Sequence, residues 1–148
     1  FTDRRQRQMC IRDRYSFPHP GGFLQATKSG ERNIIKYVLS AVKGSTKVID
    51  LFCGSGTISI PLNQITKTIC VDSNKAALEG LNKGLKFNIS KHKYEIIHQD
   101  LLKRPIEKKL LNEVDSIVLN PPFKGAKNQI NEIVKSDVNI VVYVSCNF

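Results

Sequence analysis

An apolar run over residues 47–52 stops at Gly54-Ser55-Gly56 and passes straight into a helix-like stretch over residues 57–62. No other feature of the chain restricts its fold more. Glycines lack a Cβ, so the backbone can turn tightly there and leave room for a ligand against it. A strand delivered through such a turn into a helix begins a β–α–β unit, and the rest of the chain repeats that order.

Residues 31–42 place Ile34, Ile35, Val38 and Leu39 at the spacing of one helix face. Residues 68–71 make a second strand ending at Asp72, and Ser73 is positioned to cap a helix carrying Ala76, Ala77, Leu78, Leu81 and Leu85. A third strand over residues 94–97 ends near Asp100, and a short helix occupies residues 106–111. Residues 116–119 form a fourth strand. Asn120-Pro121-Pro122-Phe123 must be loop, because consecutive prolines cannot sit inside a sheet. Residues 129–134 are helical and residues 139–144 form the fifth strand. Strands and helices alternating at this spacing imply an α/β fold built on a mostly parallel, doubly wound sheet. The fifth strand is expected inside a complete sheet, so an ending behind it leaves a hydrophobic edge open.

The net charge of +10 over 148 residues favours a polyanionic partner, nucleic acid before membrane, over a merely solubilising lysine-rich surface. Residues 1–14 stand apart. They hold five of the seven arginines, whereas all sixteen lysines come later, and they show almost no apolar periodicity. This segment is read as a non-native scar or a disordered arm, with the domain proper over residues 15–148. Without it eighteen basic residues still face eleven acidic ones, so the basic character persists. No apolar run approaches the length of a membrane span, which argues against a membrane partner. Cysteines at positions 10, 53, 70 and 146 have no zinc spacing, and are expected to be free thiols in a reducing cytoplasm, with no metal bound.

The loop running from Asp50 through Phe52, Gly54 and Gly56 to Thr57 suits a nucleotide-like cofactor. A dinucleotide site calls for a third glycine at position 59, where Ser59 stands, and a Walker-type lysine is missing. Asp72 can accept hydrogen bonds from a ribose diol, and Asp100 from an adenine amino group. A glycine turn followed by two acids describes an adenosine pocket without a phosphate cradle, which favours S-adenosylmethionine over a nicotinamide dinucleotide. Each element alone has a structural explanation: a Gly-x-Gly turn often serves only the fold, and an Asp ending a strand often only caps a helix. Cys53 and Cys70 are expected to be inert core thiols. Cys146, between Ser145 and Asn147 at the mouth end of a strand, is placed to add as thiolate to an electrophilic carbon. The three histidines suggest no partner base.

Four segments carry a family resemblance: Phe23-Leu24-Gln25-Ala26-Thr27, Asp50 through Thr57, Asn120-Pro121-Pro122-Phe123-Lys124-Gly125, and Val144-Ser145-Cys146-Asn147. Together they resemble the uracil-5 RNA methyltransferases, which make 5-methyluridine, and more closely the bacterial ribosomal RNA members than those acting on transfer RNA. The resemblance implies a class I, Rossmann-like methyltransferase fold and S-adenosylmethionine as cofactor. It implies Gln25, Phe52, Thr57, Asp72 and Asn120 as cofactor contacts, with Cys146 as the nucleophile that adds to uracil C6. Its implied partner is RNA whose target base is single-stranded or flipped.

The chain departs from that family in two places. The family has Asp-Pro-Pro-Arg where Asn120-Pro121-Pro122-Phe123 stands here, and it continues past Ser-Cys-Asn to a proline, a threonine and a glutamate base. The expectation is therefore a fragment truncated after the fifth strand and inactive by itself. Two competing readings stay open. Asn-Pro-Pro-Phe also resembles the signature of amino methyltransferases acting on adenine N6 or guanine N2, in which case Asn120 and Phe123 are catalytic and Cys146 is a spectator. The other is a basic RNA-binding module that keeps the fold without the activity.

Overall fold

The computed structural model describes residues 28–145 together with the backbone of two short strands, β1 (Met9–Ile11) and β2 (Arg14–Ser16). These two pair antiparallel, with Cys10 opposite Tyr15, in a stretch whose pattern calls for no packed element.

The remaining elements follow the expected alternation. They are α1 (Lys28–Ala41), β3 (Lys47–Leu51), α2 (Ser59–Asn63), β4 (Lys67–Asp72), α3 (Lys75–Phe87), β5 (Tyr94–His98), α4 (Lys108–Leu111), β6 (Ser116–Leu119), α5 (Lys127–Lys135) and β7 (Ile140–Tyr143). The five strands β3–β7 form one parallel sheet in the order β5-β4-β3-β6-β7. Two-residue periodicity sends alternate side chains to opposite faces. Val48 and Val118 join Val38 of α1, Val42 just after it and Leu62 of α2 on one face. Ile49, Leu51, Ile117 and Leu119 join Leu111 of α4 and Ile133 of α5 on the other. Cys53 and Cys70 pack with Leu78, Leu81 and Leu85 of α3, both buried as expected of core thiols. Helices therefore cover both faces, which is the doubly wound α/β arrangement.

The first half of the sheet winds from β3 through β4 to β5, and the second starts again from β3 on its other side. The switch point lies between β3 and β6, where an open α/β sheet leaves a crevice at its carboxyl edge. Backbone bonds hold the loops around it: Cys53 N–H donates to the Val71 carbonyl, Asn120 N–H to Leu51, and Val144 N–H to Leu119. Among the described residues β7 is an outer strand, with Val141 and Tyr143 nearly half exposed.

The cap of α3 differs from expectation. Asn74, extended at φ −88° and ψ 101°, accepts the Ala77 N–H on its side chain at 3.1 Å. Ser73 instead turns its carbonyl to the His98 ring at 2.8 Å. The cap is Asn74 and not Ser73, so the helix starts one residue later than a Ser73 cap implies.

Candidate functional site

The carboxyl ends of β3, β4, β6 and β7 and the first two turns of α1 enclose a cavity of about 670 Å³. That is ample for a cofactor of nucleoside size. Of the residues singled out in the sequence, Asp50, Phe52, Gly54, Thr57, Asp72 and Asn120 line it. Gln25 and Cys146 lie outside the described residues, although Ser145, immediately before Cys146, is on the cavity wall.

The glycine turn is built by left-handed backbone at three of its residues: Phe52 at φ 61°, Gly54 at 55° and Gly56 at 92°. Phe52 is the costly one, since a side chain with φ above zero is strained and persists only where its surroundings fix it. The two glycines do different work. A Cβ on Gly54 meets nothing within 4 Å, so this position leaves open space toward the cavity. A Cβ on Gly56 falls 2.3 Å from Leu81 Cδ1, so Gly56 lets the turn press against α3 and does not line the cavity.

Asp72 fixes the turn and the next helix together. Its Oδ2 accepts the Gly54 N–H at 2.9 Å and its Oδ1 the Asn74 N–H at 2.8 Å. Each carboxylate oxygen has two acceptor sites, so the group still has capacity facing the cavity. Asp50 is in a harsher position. Ser59 Oγ donates to its Oδ2 at 2.5 Å, while Oδ1 is buried without a partner. Burial pushes its carboxyl up to about 7; the Ser59 bond opposes this and the charge of Asp72 adds to it. Burial also raises Glu31, which lines the same cavity from α1. The Cys53 thiol is raised well above its ordinary range, first by burial and then by Cys70 and the two aspartates, so it stays protonated.

Asp100 lies apart from this group. Its Oδ1 accepts the Leu102 N–H at 3.0 Å and its carbonyl accepts from Lys103 and Arg104, so it organises the turn after β5. It is not among the residues lining the cavity. Sequence reasoning missed Glu31, Asn74 and Tyr143, which do line it. Glu31 left a signal: it falls four residues before Ile35 and seven before Val38, on the buried stripe of α1, where a carboxylate has no packing reason to be.

From the Asn-Pro-Pro-Phe segment, Asn120, Pro121, Pro122 and Phe123 all reach the cavity, and the Phe123 side chain is 87% exposed at its edge. Among the described residues there is no group of three or more metal-ligating side chains, and no helix long and apolar enough to cross a membrane.

Comparison with known proteins agrees with this geometry. An uncharacterized RNA methyltransferase of Mesorhizobium japonicum is 38% identical over 128 residues, which is 86% of this chain and 31% of that protein. One from Thermotoga maritima is 30% identical over 139 residues, 91% of this chain and 31% of that protein. The chain thus spans about a third of the length of the curated relatives it matches. In fold it is similar to the Pyrococcus abyssi tRNA (uracil-54, C5)-methyltransferase in complex with S-adenosyl-L-homocysteine. The TM-score is 0.78 at 23% identity, covering 95% of this chain and 34% of that one. It is also similar to a Thermus thermophilus 16S rRNA guanine N2 methyltransferase, with TM-score 0.68, 22% identity, and 97% and 42% coverage. Both neighbours have the fold of class I S-adenosylmethionine methyltransferases, and the family model for the methyltransferase small domain matches residues 28–140. With its switch-point cavity, glycine turn and strand-end acid in that order, this chain belongs to the methyltransferase small domain family.

Proposed function

We propose that the cavity holds S-adenosylmethionine and that the protein methylates C5 of uridine in RNA, ribosomal RNA in preference to transfer RNA. The observation that carries this reading is that Ser145, which leads directly into Cys146, lines the same cavity as Asp72 and Asn120. Cys146 follows Ser145 directly in the sequence, which supports a nucleophile working from this side of the cavity.

The residues present fit the cofactor. The open space at Gly54 admits a ligand against the backbone, Asp72 retains acceptor capacity for a ribose diol, and Asp50 Oδ1 is a buried acceptor in need of a donor. Phe52, Thr57 and Asn120 complete the wall, and Gln25 joins them on the strength of the sequence resemblance. Gly56 supports the turn from behind, against Leu81. Asp100 keeps its turn after β5 and takes no adenine contact in this reading.

When bound, S-adenosylmethionine supplies an electrophilic sulfonium methyl group. Uracil C5 becomes nucleophilic only after addition at C6, which is the work of the Cys146 thiolate: an S–C6 bond forms and the C5=C6 π pair moves to C5. After methylation a base takes the C5 proton, the double bond re-forms, and the thiolate leaves with its electron pair. RNA containing 5-fluorouracil has no C5 proton to lose, so it should accumulate as a methylated covalent adduct on Cys146. Active enzyme that forms no adduct would rule out the uracil-5 reading.

Phe123 favours a second reading. Its exposed ring beside Asn120, in an Asn-Pro-Pro-Phe loop at the cavity, suits stacking on a purine whose amino group is the acceptor. Nucleoside analysis of methylated RNA separates the two: N6-methyladenosine or N2-methylguanosine supports the amino reading, and 5-methyluridine the first.

A further inference from the structure

The outer face of α1 has a charge pattern that works against helix stability. Lys28, Arg32 and Lys36 follow one another at four-residue spacing, so all three lie on one exposed face, and Lys43 continues beyond the helix end. Like charges at this spacing repel. The first two also sit near the positive end of the helix dipole, where acids are favoured, and the last turn, where cations are favoured, has none. The helix's single acid, Glu31, is turned inward to the cavity. Among the described residues the ion pairs are Lys47 with Glu113 and Lys135 with Glu132, so neither relieves the stripe. Tyr37, the one aromatic of this helix and 72% exposed, follows Lys36 about 100° further round.

A row of cations that costs the helix stability is explained by an anion that compensates it. The steps are about 6 Å apart along the axis, and the middle of the row lies about 100° round the helix from Glu31, on the flank next to the side that lines the cavity. We propose that the outer face of α1 is a track for single-stranded RNA flanking the target nucleotide, with Lys28, Arg32 and Lys36 on successive phosphates and Tyr37 stacked on a base. The inference rests on the RNA methyltransferase reading above and adds the path of the strand. Cations along a backbone joined by an aromatic platform are the usual means of holding a single strand without reading its sequence.

The test is RNA affinity against salt. A labelled oligouridine strand and a hairpin RNA of equal length are titrated with the unsubstituted protein and with a Lys28→Gln/Arg32→Gln/Lys36→Gln variant. Glutamine is a good helix former, and S-adenosylhomocysteine binding checks that the cavity is intact. Losing three phosphate contacts should reduce the slope of log K against log salt by about 2 for the single strand. The matched Lys103→Gln/Lys108→Gln/Lys109→Gln variant should leave it unchanged. Tyr37→Ala should weaken the single strand about tenfold and leave the hairpin stem alone. An unchanged slope in the α1 variant, or an equal drop in the control, overturns the track while the RNA reading survives. If the unsubstituted protein shows no salt-dependent RNA binding, the RNA reading falls and the track with it.

Discussion

Asp50 makes the pH dependence of stability calculable. Its carboxyl titrates at about 7 in the folded protein against 3.8 for an ordinary aspartate. The folded state therefore binds a proton more tightly than the unfolded chain, and stability falls as pH rises through the window from about 4 to about 7. At roughly 1.4 kcal/mol for each tenfold in proton affinity, the difference amounts to about 4 kcal/mol. That is between roughly a quarter and four fifths of the 5–15 kcal/mol typical of a domain.

Asp50→Asn removes the ionisation and keeps the shape. The amide oxygen can still accept from Ser59 Oγ, while the amide nitrogen takes the place of the unpartnered Oδ1, at a cost of about 1–3 kcal/mol if it finds no acceptor. That cost does not vary with pH, so the diagnostic quantity is the change in the mutant-minus-wild-type difference. Urea unfolding without ligand, from pH 5 to pH 8, should show the variant gaining about 2.5 kcal/mol relative to wild type, the rest of the difference falling below pH 5. Glu31 and the exposed carboxylates Asp115 and Glu132 also titrate differently from free groups, but they are common to both proteins and cancel. Parallel stability curves would show that Asp50 ionises normally and that the account of its burial is wrong.

Four further outcomes are expected at the site and its helix cap. Gly56→Ala should destabilise by about 3 kcal/mol in urea unfolding, because left-handed backbone and the buried Leu81 both oppose the new methyl group. Gly54→Ala should cost only about 1 kcal/mol, yet weaken S-adenosylhomocysteine by calorimetry, since its methyl projects into open space beside the cavity. Asp72→Ala should weaken the same ligand at least tenfold and loosen the turn by stranding the Gly54 and Asn74 N–H groups; unchanged affinity would refute the ribose assignment. Asn74→Ala should cost about 1 kcal/mol and Ser73→Ala less than about 0.5, and the reverse order would return the helix cap to Ser73.

The strands were legible because short apolar runs such as Ile117-Val118-Leu119, alternating with helix-spaced segments, are what a parallel strand covered on both faces requires. The glycine turn was legible for a similar reason, since Gly56 has a steric requirement no other residue meets. Helix ends were less so. The apolar stripe of α5 begins only at Ile130, yet the helix starts at Lys127, because polar first-turn residues leave no periodic trace. The role of Gln129 could not be read at all. Its side chain is fully buried, accepting the Ile106 N–H at 2.7 Å and donating to the Ile106 carbonyl at 3.1 Å, a partnership across 23 positions that no local pattern encodes. Asp72 and Asp100 occupy equivalent strand-end positions in the sequence, but only Asp72 adjoins the switch point. Which of the two lines the cavity depends on strand order, and strand order is a tertiary fact.

The same dependence explains why α1 was undervalued. Read locally, it is an amphipathic helix with a first-turn acid and a solvated basic face. In the fold its two faces carry opposite charge to two different places: Glu31 joins Asp50 and Asp72 around the cavity, while Lys28, Arg32 and Lys36 point to solvent. Acids are unfavourable on the proposed RNA track, while a cofactor rich in donors calls for acceptors in the cavity. On α1 the acid and Arg32, the middle of the basic row, are adjacent in sequence and so about 100° apart, which lets one flank serve the cavity and the next serve the track. It also ties the two proposals together, since shifting the register of α1 by one residue would rotate the carboxylate out of the cavity and the cations off the track by about 100° at once.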